Sequence, residues 1–301
     1  MRSLTILRLL TARNMKLYFK DKMTFFMSLL SPLILLVLFV TFLKSVYVDS
    51  FTAFIPEGFQ ISNKAIDGFT GGWLMSSILG VSSVTVAFCS NIIMVDDKIK
   101  GNINDLLVSP VRRDLLAVGY YLANLITTFI VCLAAMLVGF LYLAVVGWYL
   151  SVSDVLFILL DLTLCILFGT ALAALVEQFL STQGGVSAVA TLVSSMYGFL
   201  CGAYMPISQF AAPIRNFVAF IPGTYGTALL RGHYMNGVLE TLEGELPAEM
   251  ISGLKDGFDS RLYFFGHQVQ PWQMYAVLGG AVVLLLGLYV LISWRRSRRV
   301  K

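Results

Sequence analysis

Residues 96–114, DDKIKGNINDLLVSPVRRD, form a strongly charged stretch between two long uncharged runs, Trp73–Val95 before it and Leu115–Ser153 after it. Crossing the ~30 Å hydrocarbon of a bilayer takes about 20 helical residues. Both runs are long enough, so Asp96–Asp114 reads as a polar hairpin between two membrane-crossing helices, held in water. Gly101 and Asn102 favour a turn, Ile103, Leu106 and Leu107 give a short helix one apolar face, and Pro110 with Arg112 and Arg113 redirects the chain. Asp96 and Asp97 stand where negative charge meets a helix N-terminus favourably. A short surface helix showing Ile and Leu needs a cover, either a soluble partner or lipid headgroups.

Composition carries the same reading through the whole chain. Of 301 residues, 58% are hydrophobic and 13% charged, and the mean hydropathy is +0.82. Soluble domains run nearer roughly 25% charged. Six apolar stretches qualify as spans, about 24–46, 71–95, 115–146, 155–176, 183–204 and 271–294. Fifteen of the 21 Lys and Arg lie in residues 1–23, the 96–114 loop and the tail 295–301, which places both termini in the cytosol. The net charge of +4 is thus a matter of orientation and gives no sign of nucleic-acid binding. Cys89, Cys132, Cys165 and Cys201 all sit in apolar runs as small buried side chains. The first apolar run follows six basic residues and is too long for a cleavable signal peptide.

Residues 1–23 carry an apolar stripe, Leu4, Leu7, Leu10 and Leu17, with basic residues largely off it. They read as an amphipathic helix lying along the inner leaflet, or as a plain basic anchor. On the outer side, 206–231 is apolar but broken by Pro206, Pro213 and Pro222, so a re-entrant pair of short helices is expected at about 208–220 and 223–230. Residues 232–270 read as an acidic polar loop.

No catalytic constellation, metal-ligand cluster or GxxxxGK[ST] phosphate loop is present in the sequence, and His233 and His267 fall in the expected outer loops. Uphill transport would therefore draw on an ion gradient or a partner. Asp161 is the intramembrane acid, able to bind a cation, relay a proton or serve structure alone. Gly198 and Gly202 form a GxxxG suited to close helix packing, across a dimer or within one subunit. Ser76, Ser77, Ser82, Ser83, Thr85, Ser90 and Asn91 either wet a pathway or bond back to their own helix.

The stretch Asp96-Asp97-Lys98-Ile99-Lys100-Gly101-Asn102-Ile103-Asn104-Asp105-Leu106-Leu107-Val108-Ser109-Pro110 resembles the cytosolic loop after the second span in permease subunits of ABC-2 type ABC exporters. That loop runs acidic, Gly-Thr, apolar-acidic-Leu-Leu, Ser/Thr-Pro; here Asp97 stands where Glu is usual and Asn102 where Thr is usual. Cys201–Gly232 resembles the family's broken apolar segment, with Pro206, Pro213, Pro222, Thr224, Tyr225 and Arg231 matching in kind, while Ile221 and Gly223 depart.

The resemblance implies an all-α integral membrane protein with six transmembrane helices, an N-terminal amphipathic interfacial helix, a cytosolic coupling helix and an external re-entrant helical hairpin. It implies docking of two ATP-binding subunits through Asp96, Asp97, Gly101, Asn102, Ile103, Asp105, Leu106, Leu107 and Pro110, and an outer gate at Pro206, Pro213, Pro222, Tyr225 and Arg231. This chain would bind no cofactor; ATP and Mg would belong to the partner subunit. A second permease copy, identical or paralogous, would complete the pathway in the cell membrane. The implied activity is export of an amphipathic or hydrophobic drug, lipid or peptide. The alternatives are a gradient-driven carrier using Asp161 and a membrane scaffold or immunity protein without transport.

Overall fold

A computed structural model describes residues 2–53, 61–108, 111 and 113–298. Within hydrocarbon a chain has to satisfy its backbone polar groups internally, and this one does so with helices. Helix α1 (Arg2–Lys20) stops just before Asp21, whose carboxylate accepts from the N–H groups of Met23 and Thr24 and starts α2 (Lys22–Leu38). A five-residue π-helix, Phe39–Leu43, leads on into α3 (Lys44–Ala53). The straight span expected at 24–46 is instead three helical pieces that run on to Ala53. Packing carries the extension, because Tyr47 and Phe51 are buried against Trp73 and Phe69.

Helix α4 (Asn63–Ile99) begins at the Ser62 cap, eight residues before the expected start at 71. It is the centre of the bundle: 89% of its most apolar window is buried. Helices α2, α6 (Arg113–Val146), α7 (Val152–Glu177), α8 (Gln183–Leu200) and α10 (Pro222–Glu243) all pack on it. Ser76, Ser82, Ser83 and Thr85 donate to carbonyls of their own helix, so this serine-rich core leaves few hydroxyls over. Gly169 of α7 lies so close to the Ser83 carbonyl that a Cβ would overlap it, which fixes a close α4–α7 crossing.

A left-handed Gly101 (φ +78°) turns α4 into α5 (Asn102–Val108). Ser151 and Asp154 form a reciprocal capping box that starts α7. Beyond α8 come a short 3-10 turn, Ile207–Gln209, and α9 (Ala212–Val218), then α10 and α11 (Ala248–Gly257). A hairpin of β1 (Leu262–Phe264) and β2 (His267–Val269) pairs Leu262 with Val269 and Phe264 with His267, and α12 (Pro271–Arg298) follows.

Four described helical segments are long and apolar enough to cross a membrane: Asn63–Ile99, Leu115–Val146, Val152–Glu177 and Pro271–Arg295. The other two expected spans are α2, cut short by the π-helix, and α8, which is rich in Gly, Ser and Thr and ends at Leu200 before the expected 204. The re-entrant pair also differs from expectation. Its first helix is 212–218, and its second runs 22 residues from Pro222 into the first part of the stretch read as a polar loop, to Glu243. Proline at the first turn of α9 and of α10 explains why both start there. Helix α10 stays helical past Arg231 because Tyr234, Met235, Val238, Leu239 and Leu242 are all buried.

Helix α1, α5, the start of α6 and the end of α12 share one end of the bundle, where the Tyr289 hydroxyl donates to the Ala117 carbonyl. We call it the terminal end; α9, α11 and the hairpin lie at the loop end.

Candidate functional site

Asp97 organises the terminal end. It sits in the last turn of α4, 3% exposed, and accepts from four donors. Arg13 of α1 approaches with both guanidinium nitrogens, Nη1 at 2.7 Å and Nη2 at 3.1 Å. The Tyr120 hydroxyl of α6 donates at 2.6 Å and the Asn102 amide of α5 at 3.0 Å. One carboxylate thereby joins four helices. A two-pronged, charge-assisted pair of this kind is geometrically specific as well as strong. The hydrogen bond to Asp97 holds the Arg13 guanidinium above its ordinary range, against the opposing effect of its own partial burial.

The Asp97 carboxylate, expected in the coupling element, is turned inward and bonded within the chain. Asn102, the departure from the usual Thr, is one of its ligands. Ile103 and Leu106 are half-buried against Leu10, Met94, Val95, Leu116, Tyr120 and Val186, so these two residues of the apolar face of α5 pack on the chain itself. Val108 of α5 is 89% exposed and Ile99, the last residue of α4, 40% exposed; Leu4 and Leu9 of α1 are exposed at the same end. Asp96 pairs with Lys100 one turn on at 3.0 Å, and Asp105 is exposed. Pro110 and the side chain of Leu107 lie outside the described residues.

The buried face of α1 is Leu10, Thr11, Asn14 and Tyr18, while Leu4 and Leu17 of the expected stripe point outward. Polar residues on a helix read as amphipathic had hidden this face. Beside the Asp97 cluster, which we call the latch, a cavity of about 10 Å³, room for roughly one water, is lined by Asn14, Ser90, Tyr120, Asn124 and Thr127. Asn91 holds the Glu177 carboxylate at 2.9 Å, and Glu177 is 2% exposed. Glu177 is a second buried acid that hydropathy alone missed, because it closes an apolar run.

At the loop end Arg231 is buried to 1%. It contacts Asp259 at 3.3 Å, Ser77 at 3.2 Å and the Gly202 carbonyl at 2.8 Å, with the Trp73 ring centroid 4.7 Å away. Asp259 also accepts from the backbone N–H of Ile207 and of Ser208. It does so from φ +53°, a conformation that Asp tolerates better than most residues. Pro206 caps the 3-10 turn, Pro213 and Pro222 start helices, and Tyr225 donates to Ala219 at 2.6 Å. Arg231, Asp259 and Tyr225 are buried in one packed corner.

Asp161 is fully buried, with His233 Nδ1 at 2.6 Å and the Tyr275 hydroxyl donating at 2.6 Å. His233 therefore belongs to α10 and not to a loop, and it stacks on Phe157 at 4.9 Å. The GxxxG pair is no helical packing face: Gly202 (φ +71°) lies past the end of α8, and Gly198 abuts Tyr204 of the same chain.

No curated protein matches the chain. A family model described as ABC-2 type transporter matches residues 5–235, from α1 through the first half of α10 and including the latch, and the chain belongs to that family as a multi-pass permease component of an ABC transporter.

Proposed function

We propose that this permease is an ATP-driven exporter subunit in the cell membrane, with both termini in the cytosol, docking two copies of a separate ATP-binding subunit at the terminal end. ATP and Mg belong to that partner. Two permease copies, identical or paralogous, enclose the pathway, and the cargo is amphipathic or hydrophobic. The observation that carries this reading is Asp97, which ties α5 to α1, α4 and α6 through four donors. A push on α5 is thereby delivered to a span and to the N-terminal helix together. The concentration of basic residues at 1–23, 96–114 and 295–301 supports the orientation.

The partner would grip this corner by Val108 of α5 and Ile99 at the end of α4, since Ile103 and Leu106 face inward. Co-purification of Val108→Asp with the ATP-binding subunit tests this. Association should fall at least tenfold while the permease keeps its own thermal stability; unchanged association removes α5 from the docking surface. The carrier alternative gains nothing from the geometry of Asp161, whose two carboxylate oxygens already hold His233 and Tyr275.

A further inference from the structure

The loop end carries an apolar patch that neither the latch nor the transport reading uses. Ile214 and Phe217 of α9 and the following Phe220 are 52%, 63% and 63% exposed, and Trp272 at the head of α12 is 68% exposed. Phe265 at the tip of the hairpin is 56% exposed. The aromatics are not scattered: the Phe220 ring lies 5.3 Å from Phe264 and 6.0 Å from Phe265, and these two are 4.9 Å apart. The patch thus joins the re-entrant helix to the hairpin.

Phe265 is the most informative member. It occupies the first loop position of a two-residue hairpin at φ +48°, followed by Gly266 at φ +85°. Turns of that shape favour Asn, Asp or Gly, and an aromatic residue there is disfavoured. The chain accepts that local cost, and within it the ring meets Phe220 and Phe264 yet stays more than half exposed. Contact with an apolar phase outside the chain would offset the rest.

The patch is continuous with a lipid-facing surface. Below Trp272, α12 shows Val277, Val283, Leu284, Leu288 and Leu291, and only 17% of its apolar window is buried within the chain. Aromatic side chains gather where such a surface leaves the hydrocarbon. Arg215, exposed on α9 between Ile214 and Phe217, is placed for a lipid phosphate, as basic residues on interfacial helices are.

We propose that α9 and the β1–β2 tip form an aromatic shoe that inserts into the headgroup–acyl boundary of the leaflet at the loop end. It anchors the segment between α8 and α12 to the bilayer. The hairpin half of this contact lies beyond residue 235, outside the matched family region, while α9 lies within it.

Site-directed spin labelling of the full chain in phosphatidylcholine–phosphatidylglycerol vesicles tests it, with the four cysteines replaced by alanine. Labels go at Phe217→Cys and Phe265→Cys, with Glu245→Cys, exposed at the end of α10, as the aqueous control. Collision with oxygen relative to a water-soluble nickel chelate is expected to be several-fold higher at 217 and 265 than at 245. A ratio at 265 equal to that at 245 overturns the proposal. Protection from both reagents at 217 and 265 overturns it too, because it would mean that a second copy covers the patch.

Discussion

At the terminal end Arg13 meets Asp97 at 2.7 Å with the arginine side chain 33% exposed; at the loop end Arg231 meets Asp259 at 3.3 Å with side chains 1% and 3% exposed. The residue types are the same and the surroundings are not. Arg13 can exchange its partner for water, and the other ligands of Asp97, Tyr120 and Asn102, come from separate helices. Arg231 is enclosed by Trp73, Ser77 and the Gly202 carbonyl and has no route to water without unpacking α10. A half-wet pair can open and close at modest cost, while a dry pair that loses one member leaves an uncompensated buried charge. The comparison assigns motion to the terminal end and rigidity to the loop end.

The largest effect should come from breaking the dry pair. Asp259→Ala strands the Arg231 charge and uncaps Ile207 and Ser208, for a cost of about 3–5 kcal/mol. Thermal unfolding in detergent should show a large loss of Tm and of folded yield, and a wild-type melting curve would mean that the corner is not rigid. Asp97→Asn keeps the size of the side chain and weakens the half-wet pair, costing about 2 kcal/mol. The variant should fold and still bind the ATP-binding subunit, yet lose most transport per ATP hydrolysed. Asp161→Asn retains an acceptor for Tyr275 and should cost about 1 kcal/mol. ATP-dependent transport should persist in vesicles without a proton gradient; abolished transport there would restore the carrier reading. Smallest of all, Asp96→Asn removes a surface pair with Lys100 worth at most about 0.5 kcal/mol, and melting should not resolve it.

The parts legible in the sequence were those set by hydropathy and charge. Apolar runs located α4, α6, α7 and α12, and the isolated Asp96–Asp114 stretch located the turn between α4 and α6. Helix ends were less legible where packing overrides polarity. Asn63–Thr70 and Arg231–Glu243 are polar enough to read as loop, but buried side chains on one face hold both in helix. The distant partners of Asp97, Asp161 and Arg231 were not legible. Arg13 lies 84 residues from Asp97 and His233 lies 72 from Asp161, and a single sequence carries no sign of pairs that distant. One local hint existed: Asn102, five residues after Asp97, sits just past a turn glycine, within reach of the acid.

The central claim is that Asp97 passes movement from α5 to α1. Pulsed EPR distances between labels at Leu4→Cys on α1 and Val152→Cys at the far end of α7, both exposed, test it in the complex with the ATP-binding subunit. With Asp97 intact, the distance should change between the nucleotide-free and the vanadate-trapped states. With Asp97→Asn, it should stay at its nucleotide-free value although the partner is trapped. The same nucleotide-dependent change in both proteins would contradict the account.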